Sequence, residues 1–324
     1  MTSHAHHGSG AHPGAGARLL GWALALIAAF MAAEVTIGLL AHSLALISDA
    51  AHMLTDAASL ALALTAMRLS ARPPAGGYTY GLRRTEIVSA QANGITLLLL
   101  AAWLSYEAIR RLITPPGVSG WPVLGTALAG IVVNLAAVRL TGRASEGHGS
   151  LNVEGAYRHV LTDLYAFIAT AIAGIVMVAS RFDRADAIAS LVVVALMAKA
   201  GAGLVRESGR IFLEAAPAGL SPDLVGRAMA ARNGVVEVHD LHIWQITSGM
   251  PAASAHVLVG QGLDCHSVRA DLEALLAGTY QISHTTLQVD HAQDPLLSIG
   301  EESAPAAHCP EAHGPAHRPG LPPA

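Results

Sequence analysis

Apolar residues are bunched into six long runs over the first two-thirds of the chain, at about 19–40, 44–68, 86–112, 121–140, 155–180 and 185–206. Each is near the roughly 20 residues that an α-helix needs to cross the hydrocarbon core of a bilayer. Turn-forming residues separate them: Pro73, Pro74, Gly76 and Gly77 after the second run, and Pro115, Pro116 and Gly117 after the third. The pattern changes from about residue 208. Residues 221–232 predict a helix capped by Ser221 with Pro222 in its first turn. Residues 235–246 and 253–260 alternate as strands do, with Gly249 and Pro251 between them. Val268, Leu272, Leu275 and Leu276 mark an amphipathic helix, and 284–291 a last strand. The expected fold is therefore an all-α six-helix transmembrane bundle followed by a small α+β domain of order αββαβ, ferredoxin-like or metallochaperone-like. The expected segments are a disordered tail 1–17, a membrane domain 18–207, a soluble domain 208–292 and a disordered tail 293–324.

Composition agrees. Only 13% of the 324 residues are charged and 52% are hydrophobic, with a mean hydropathy of +0.46, whereas a soluble domain carries about 25% charged residues. A net charge of −4 argues against a nucleic-acid partner. Two cysteines, Cys265 and Cys309, do not make a disulfide framework. The polar, His-rich start does not resemble a cleaved signal peptide. Arginines orient the bundle. Arg18, Arg68, Arg72, Arg83, Arg84, Arg139, Arg143, Arg206 and Arg210 fall on one side, and Arg110, Arg111, Arg181 and Arg184 on the other. The first side is then cytoplasmic, with both termini there.

Two apolar runs carry the same ionisable pattern. His52 and Asp56 are four residues apart in the second, and His159 and Asp163 repeat the spacing in the fifth. On a helix, i and i+4 share a face. Ionisable groups at membrane depth are costly and face a protein interior or a wet cavity. Two imidazoles and two carboxylates from two facing helices make a donor set suited to tetrahedral Zn²⁺. The carboxylates offset the charge of a divalent ion, and the nitrogens favour Zn²⁺ or Co²⁺ over Mg²⁺ or Ca²⁺. Ligand nitrogens bind metal only when deprotonated, so metal and protons compete for these side chains. A site open alternately to either face would exchange one for the other.

Four stretches resemble the cation diffusion facilitators, the zinc-type metal/proton antiporters. Ser48-Asp49-Ala50-Ala51-His52 through Asp56 resembles their second span, and Asn152 through Asp163 their fifth. Tyr80-Gly81-Leu82-Arg83-Arg84-Thr85-Glu86 is similar to the start of their third, and Val238-His239-Asp240-Leu241-His242-Ile243-Trp244 to the first strand of their cytoplasmic domain. The resemblance implies that His52, Asp56, His159 and Asp163 are transport ligands. It also implies export of Zn²⁺, with Co²⁺ or Cd²⁺ as further cargo, against protons across a bacterial inner membrane by a homodimer. No prosthetic group is expected. Asp49 has three readings: a proton relay, a hydrogen bond to a ligand His, or a structural bond. The loop Ala75–Leu82 lacks the Asp and His of an accessory metal site found in some members. His239, His256, His266 and Asp290 fall where members place regulatory zinc ligands, although Gln288 stands where some have His. The tail histidines His4, His6, His7, His12, His308, His313 and His317 have loose metal-binding composition. Two rivals remain at this point: a membrane metalloenzyme, which lacks an HExxH motif and a vacant ligand position, and a metal sensor merely anchored by its helices.

Overall fold

The computed structural model describes residues 13–40, 44–114, 120–146, 151–180, 182, 184–292 and 314–320. The chain divides into two compact units, Met1–Gly209 and Arg210–Ala324.

The first unit consists of long helices. They are α1 (Pro13–Leu40), α2 (Leu44–Ser70), α3 (Thr85–Ile113), α4 (Gly120–Glu146), α5 (Leu151–Ser180) and α6 (Ala185–Phe212), the last running just past the division. Within the described residues four segments are long and apolar enough to cross a membrane: Thr85–Ile113, Leu124–Ser145, Leu151–Ser180 and Ala187–Phe212. α1 and α2 contribute the shorter apolar stretches Ala17–Ala33 and Ala57–Ser70. Side chains such as Leu99, Val132, Ile172 and Val192 are exposed in mid-helix. Trp103, Tyr106 and Trp121, near the α3–α4 connection, are exposed as well, as aromatic residues are at a membrane interface.

One core of this unit joins α1, α2, α4 and α5 through Leu20, Ile27, Leu60, Ala63, Ala137, Val153 and Val160. A second joins α3 and α6 through Leu97, Ala101, Met197 and Leu204. Small residues set the α3–α6 spacing: a Cβ at Gly201 would lie 2.9 Å from the Gly94 carbonyl oxygen, and one at Gly94 3.1 Å from the Gly201 oxygen. Backbones this close leave no room for a methyl group. Gly201→Ala is expected to cost about 1–3 kcal/mol, seen as a lower thermal midpoint in detergent than Gly125→Ala, where a Cβ meets nothing within 4 Å.

The second unit runs α7 (Pro222–Ala230), β1 (Val235–Thr247), β2 (Met250–Val259), α8 (Cys265–Tyr280) and β3 (His284–His291). Ser221 caps α7 by accepting from the Leu224 amide, and Asp264 caps α8 by accepting from that of His266. The sheet order is β1-β2-β3, with β1 antiparallel and β3 parallel to β2. Val225, Met229, Leu272 and Leu276 of the helices pack on Val238, Ala253, Ala255, Val257 and Val259 of the sheet. Strand residues alternate between faces, so His256 points to the other face, away from the helices.

Several expected limits shift. α1 begins at Pro13, inside the stretch 1–17 expected to be disordered; residues 1–12, with their histidines, lie outside the described residues. α5 begins at Leu151 rather than 155 because Gly155 is a packing position, not a breaker: a Cβ there would meet Leu204 at 3.3 Å. β2 begins at Met250, since Pro251 sits at the start of the strand, where a missing N–H is tolerated. Residues 314–320, expected to belong to a disordered tail, instead pair with β1 at Val238. The remainder, 293–313 and 321–324, lies outside the described residues.

Candidate metal path and the histidine row

The α5 half of the HxxxD pattern is buried. The His159 and Asp163 side chains are only 2% and 7% exposed, and Nε2 stands 3.8 Å from Oδ2. That is too long for a hydrogen bond. It is close to the roughly 3.3 Å that separates two ligands of one tetrahedral Zn²⁺ with bonds near 2.0–2.1 Å. α5 reaches this burial by packing Val153, Ala156 and Val160 into the core that also holds Ala57, Leu60 and Ala63 of α2.

The α2 half lies within the helix Leu44–Ser70. The side chains of Asp49, His52 and Asp56 are outside the described residues.

One polar contact, which sequence reasoning missed, ties the two helices together. Asn152 Nδ2 donates to the Ala63 carbonyl oxygen at 2.7 Å, and both residues are fully buried. His159 and Asp163 follow Asn152 by seven and eleven residues, and Asp56 and His52 precede Ala63 by seven and eleven. Seven and eleven residues return to within about 20° of the same helical direction. On each helix the His and Asp positions therefore share the face that makes the interhelical bond.

Other membrane-unit charges have structural partners. Glu107 is 3.4 Å from Arg110 and 2.9 Å from Arg111. Arg158 is 2.8 Å from Glu154 on its own helix and 3.5 Å from Glu207 on α6. A cleft of about 400 Å³ beside α5 and α6 is lined by Arg158, Thr162, Tyr165 and Lys199 rather than by His159 and Asp163. Its two cationic side chains make it a poor path for a metal ion.

On the second unit the structure brings together some expected ligands and not others. His239 pairs with His256 across β1 and β2, and His256 with Gln288 across β2 and β3, in one row on the sheet face away from the helices. The His239 and His256 rings meet edge to face with centroids 5.5 Å apart. Asp290 also lies on β3, where its Oδ2 accepts from Gln288 Nε2 at 2.9 Å. His266 is exposed in the first turn of α8, in the helical layer, and is not part of the row.

Two unpredicted carboxylates join the row. Glu237 Oε1 is 3.2 Å from His239 Nδ1. Asp240, at φ 53°, sits where the β1–β2 register shifts; its carboxylate is 2.9 Å from His242 and 4.0 Å from His256. A bulge re-aims a side chain in this way. Among the described residues no three His, Cys, Asp or Glu converge closely enough to hold a metal ion, so within one chain the row offers two imidazoles and an incomplete set.

Comparison with known proteins covers nearly all of both units. The model of the cation efflux transmembrane domain matches residues 21–213, and that of the cation efflux protein cytoplasmic domain matches 223–292. The chain is 36% identical over 283 residues to the metal cation efflux system protein CzcD of Cupriavidus metallidurans, covering 87% of this chain and 89% of that protein. It is 34% identical over 290 residues to the zinc transporter ZitB of Escherichia coli, covering 89% and 92%. It is 33% identical over 280 residues to the cadmium, cobalt and zinc/H(+)-K(+) antiporter of Bacillus subtilis, covering 86% and 90%.

Proposed function

This chain belongs to the cation diffusion facilitator family, and from that premise we propose how its own residues carry the ion. It is a multi-pass membrane transporter for divalent metal cation efflux and not an enzyme. Zn²⁺ is its cargo, and protons moving the other way supply the work. His52, Asp56, His159 and Asp163 form the transport site. All six helices span the bacterial inner membrane, as domain 18–207, with both termini in the cytoplasm. Residues 208–292 form a cytoplasmic αββαβ domain of ferredoxin-like type.

The bond from Asn152 to Ala63 carries this reading. In an up-and-down bundle the second and fifth spans run antiparallel. Moving seven residues from the bond along each helix then goes about 10.5 Å in the same direction across the membrane. Asp56 and His159 fall at one depth, and His52 and Asp163 at the next, one turn away. Each level holds one carboxylate and one imidazole, which together bind one ion and neutralise it. Asp49, one turn further on the same face of α2, orients a ligand His or passes its proton.

Acid should empty this site. Equilibrium zinc affinity, read by competition with an indicator in detergent, is expected to fall as the pH falls, by about tenfold per pH unit for each proton the ligands take up. An affinity that does not change as the solution is acidified would remove proton exchange from the reading.

A second site is regulatory. His239 and His256 supply two zinc donors on the cytoplasmic sheet, and a second copy of the chain, in a homodimer, completes the set with Asp290 or His266. A membrane-anchored sensor would invert the pattern of sensitivity, losing function on His239→Ala and His256→Ala and keeping it on changes at Asp163.

A further inference from the structure

β1 is the outer strand of the sheet, and an outer strand presents unpaired backbone groups. Here one residue of the C-terminal segment covers it. The Val238 amide donates to the His317 carbonyl at 2.9 Å, and the His317 amide to the Val238 carbonyl at 2.7 Å. Successive side chains of this segment then point to opposite faces, and each finds a partner. The His317 ring is buried on Gly226 of α7, where any Cβ would collide with it. Its Nδ1 is 3.6 Å from Asp223 Oδ1. On the other face Arg318 Nε donates to Glu237 Oε2 at 2.6 Å. Glu237 Oε1 also lies 3.2 Å from His239 Nδ1. Pro315 and Pro319 flank the contact and stop the pairing from extending.

We propose that the edge of β1 and the Asp223–Gly226 turn of α7 form a peptide-binding cleft that recognises His-Arg, and that its resident ligand is this chain's own His317 and Arg318. Recognition follows strand addition, with backbone bonds giving affinity and pockets for alternate side chains giving specificity. The imidazole seat is the selective part: it is closed, lined by the only residue type without a Cβ, and faces one carboxylate. The guanidinium is held by a second carboxylate at the open face. Docking shields the β1 edge from other strands and fixes Glu237 beside His239, so the tail and the histidine row share one side chain.

The test uses amide hydrogen exchange on the full chain in lipid nanodiscs, beside a chain ending at residue 313. In the full chain the Val238 amide should exchange about tenfold more slowly than in the shortened one, while Val257, in the central strand, is unchanged. A free peptide Gly-Pro-Ala-His-Arg-Pro-Gly, added in excess, should restore protection to the shortened chain. His317→Ala in the full chain should release Val238 without touching the domain itself, and Gly226→Ala should do the same from the other side. Equal Val238 exchange in the full and shortened chains would overturn the proposal. So would equal protection by a peptide carrying alanine for histidine.

Discussion

Vesicles with an acidic lumen, an entrapped zinc indicator and the Asp163→Ala protein should accumulate no more zinc than protein-free vesicles, while wild-type vesicles fill. Asp163 is buried, and its carboxylate stands 3.8 Å from the His159 imidazole. With the proposed ligand set, removing it leaves a divalent ion with one compensating carboxylate in a poorly solvated site. Stripping one partner from a buried charge costs about 3–5 kcal/mol, or roughly two to three decades in affinity at 1.4 kcal/mol per decade. Flux should fail even at zinc concentrations that saturate the wild type. The fold should survive, because the core shared by α2 and α5 is built from apolar side chains such as Leu60, Ala63, Val153 and Val160. Retained flux in a monodisperse Asp163→Ala protein would move the transport path elsewhere.

The second large effect is expected at Asn152, which does not itself touch the metal in this reading. Asn152→Asp keeps the size of the side chain but turns a donor into an acceptor facing the Ala63 carbonyl oxygen at 2.7 Å. Two acceptors at that distance repel, and the new carboxylate is fully buried. An unpaired buried charge and a broken buried hydrogen bond each belong to the mechanisms that destabilise by several kcal/mol. A loss of about 3 kcal/mol or more is expected, seen as a lower midpoint in detergent and as zinc affinity reduced with it. Asn152→Ala should be milder, about 1 kcal/mol, because the Ala63 carbonyl still has its own helix. Identical behaviour of the two variants would mean that the bond does not hold the helices in register.

Much of this was legible in the residue pattern, for identifiable reasons. His52, Asp56, His159 and Asp163 stood out because charge is expensive in an apolar run and the spacing is repeated. The Ser221 cap was readable because a hydroxyl before a proline is a local signal. Asn152 was not, since an amide in a helix has no characteristic spacing and its partner, the Ala63 backbone, is 89 residues away. Asp240 was hidden by β1 itself: strict alternation assigns faces correctly only until the register slips, and it slips at Asp240, whereas Glu237, two residues before His239, shares its face by plain alternation. Gly155 shows the opposite failure: it looks like a breaker, yet the space beside it is filled by Leu204. Gly226 lies inside the helix expected over 221–232, but no local signal announces the imidazole from the far end of the chain that fills the space beside it.

In the proposed transport site, the pairing of levels in the second and fifth spans also restricts how the transporter is able to move. If α5 slid by one turn along α2, about 6 Å for four residues, Asp163 would come opposite Asp56, and two like charges would confront each other in a medium that screens them poorly. The opposite slide would set imidazole against imidazole and strand both carboxylates. Alternation of acid and base along each helix thus acts as a ratchet against piston motion, and leaves tilting about the Asn152–Ala63 pivot as the inexpensive way to open the ion to one side and then the other.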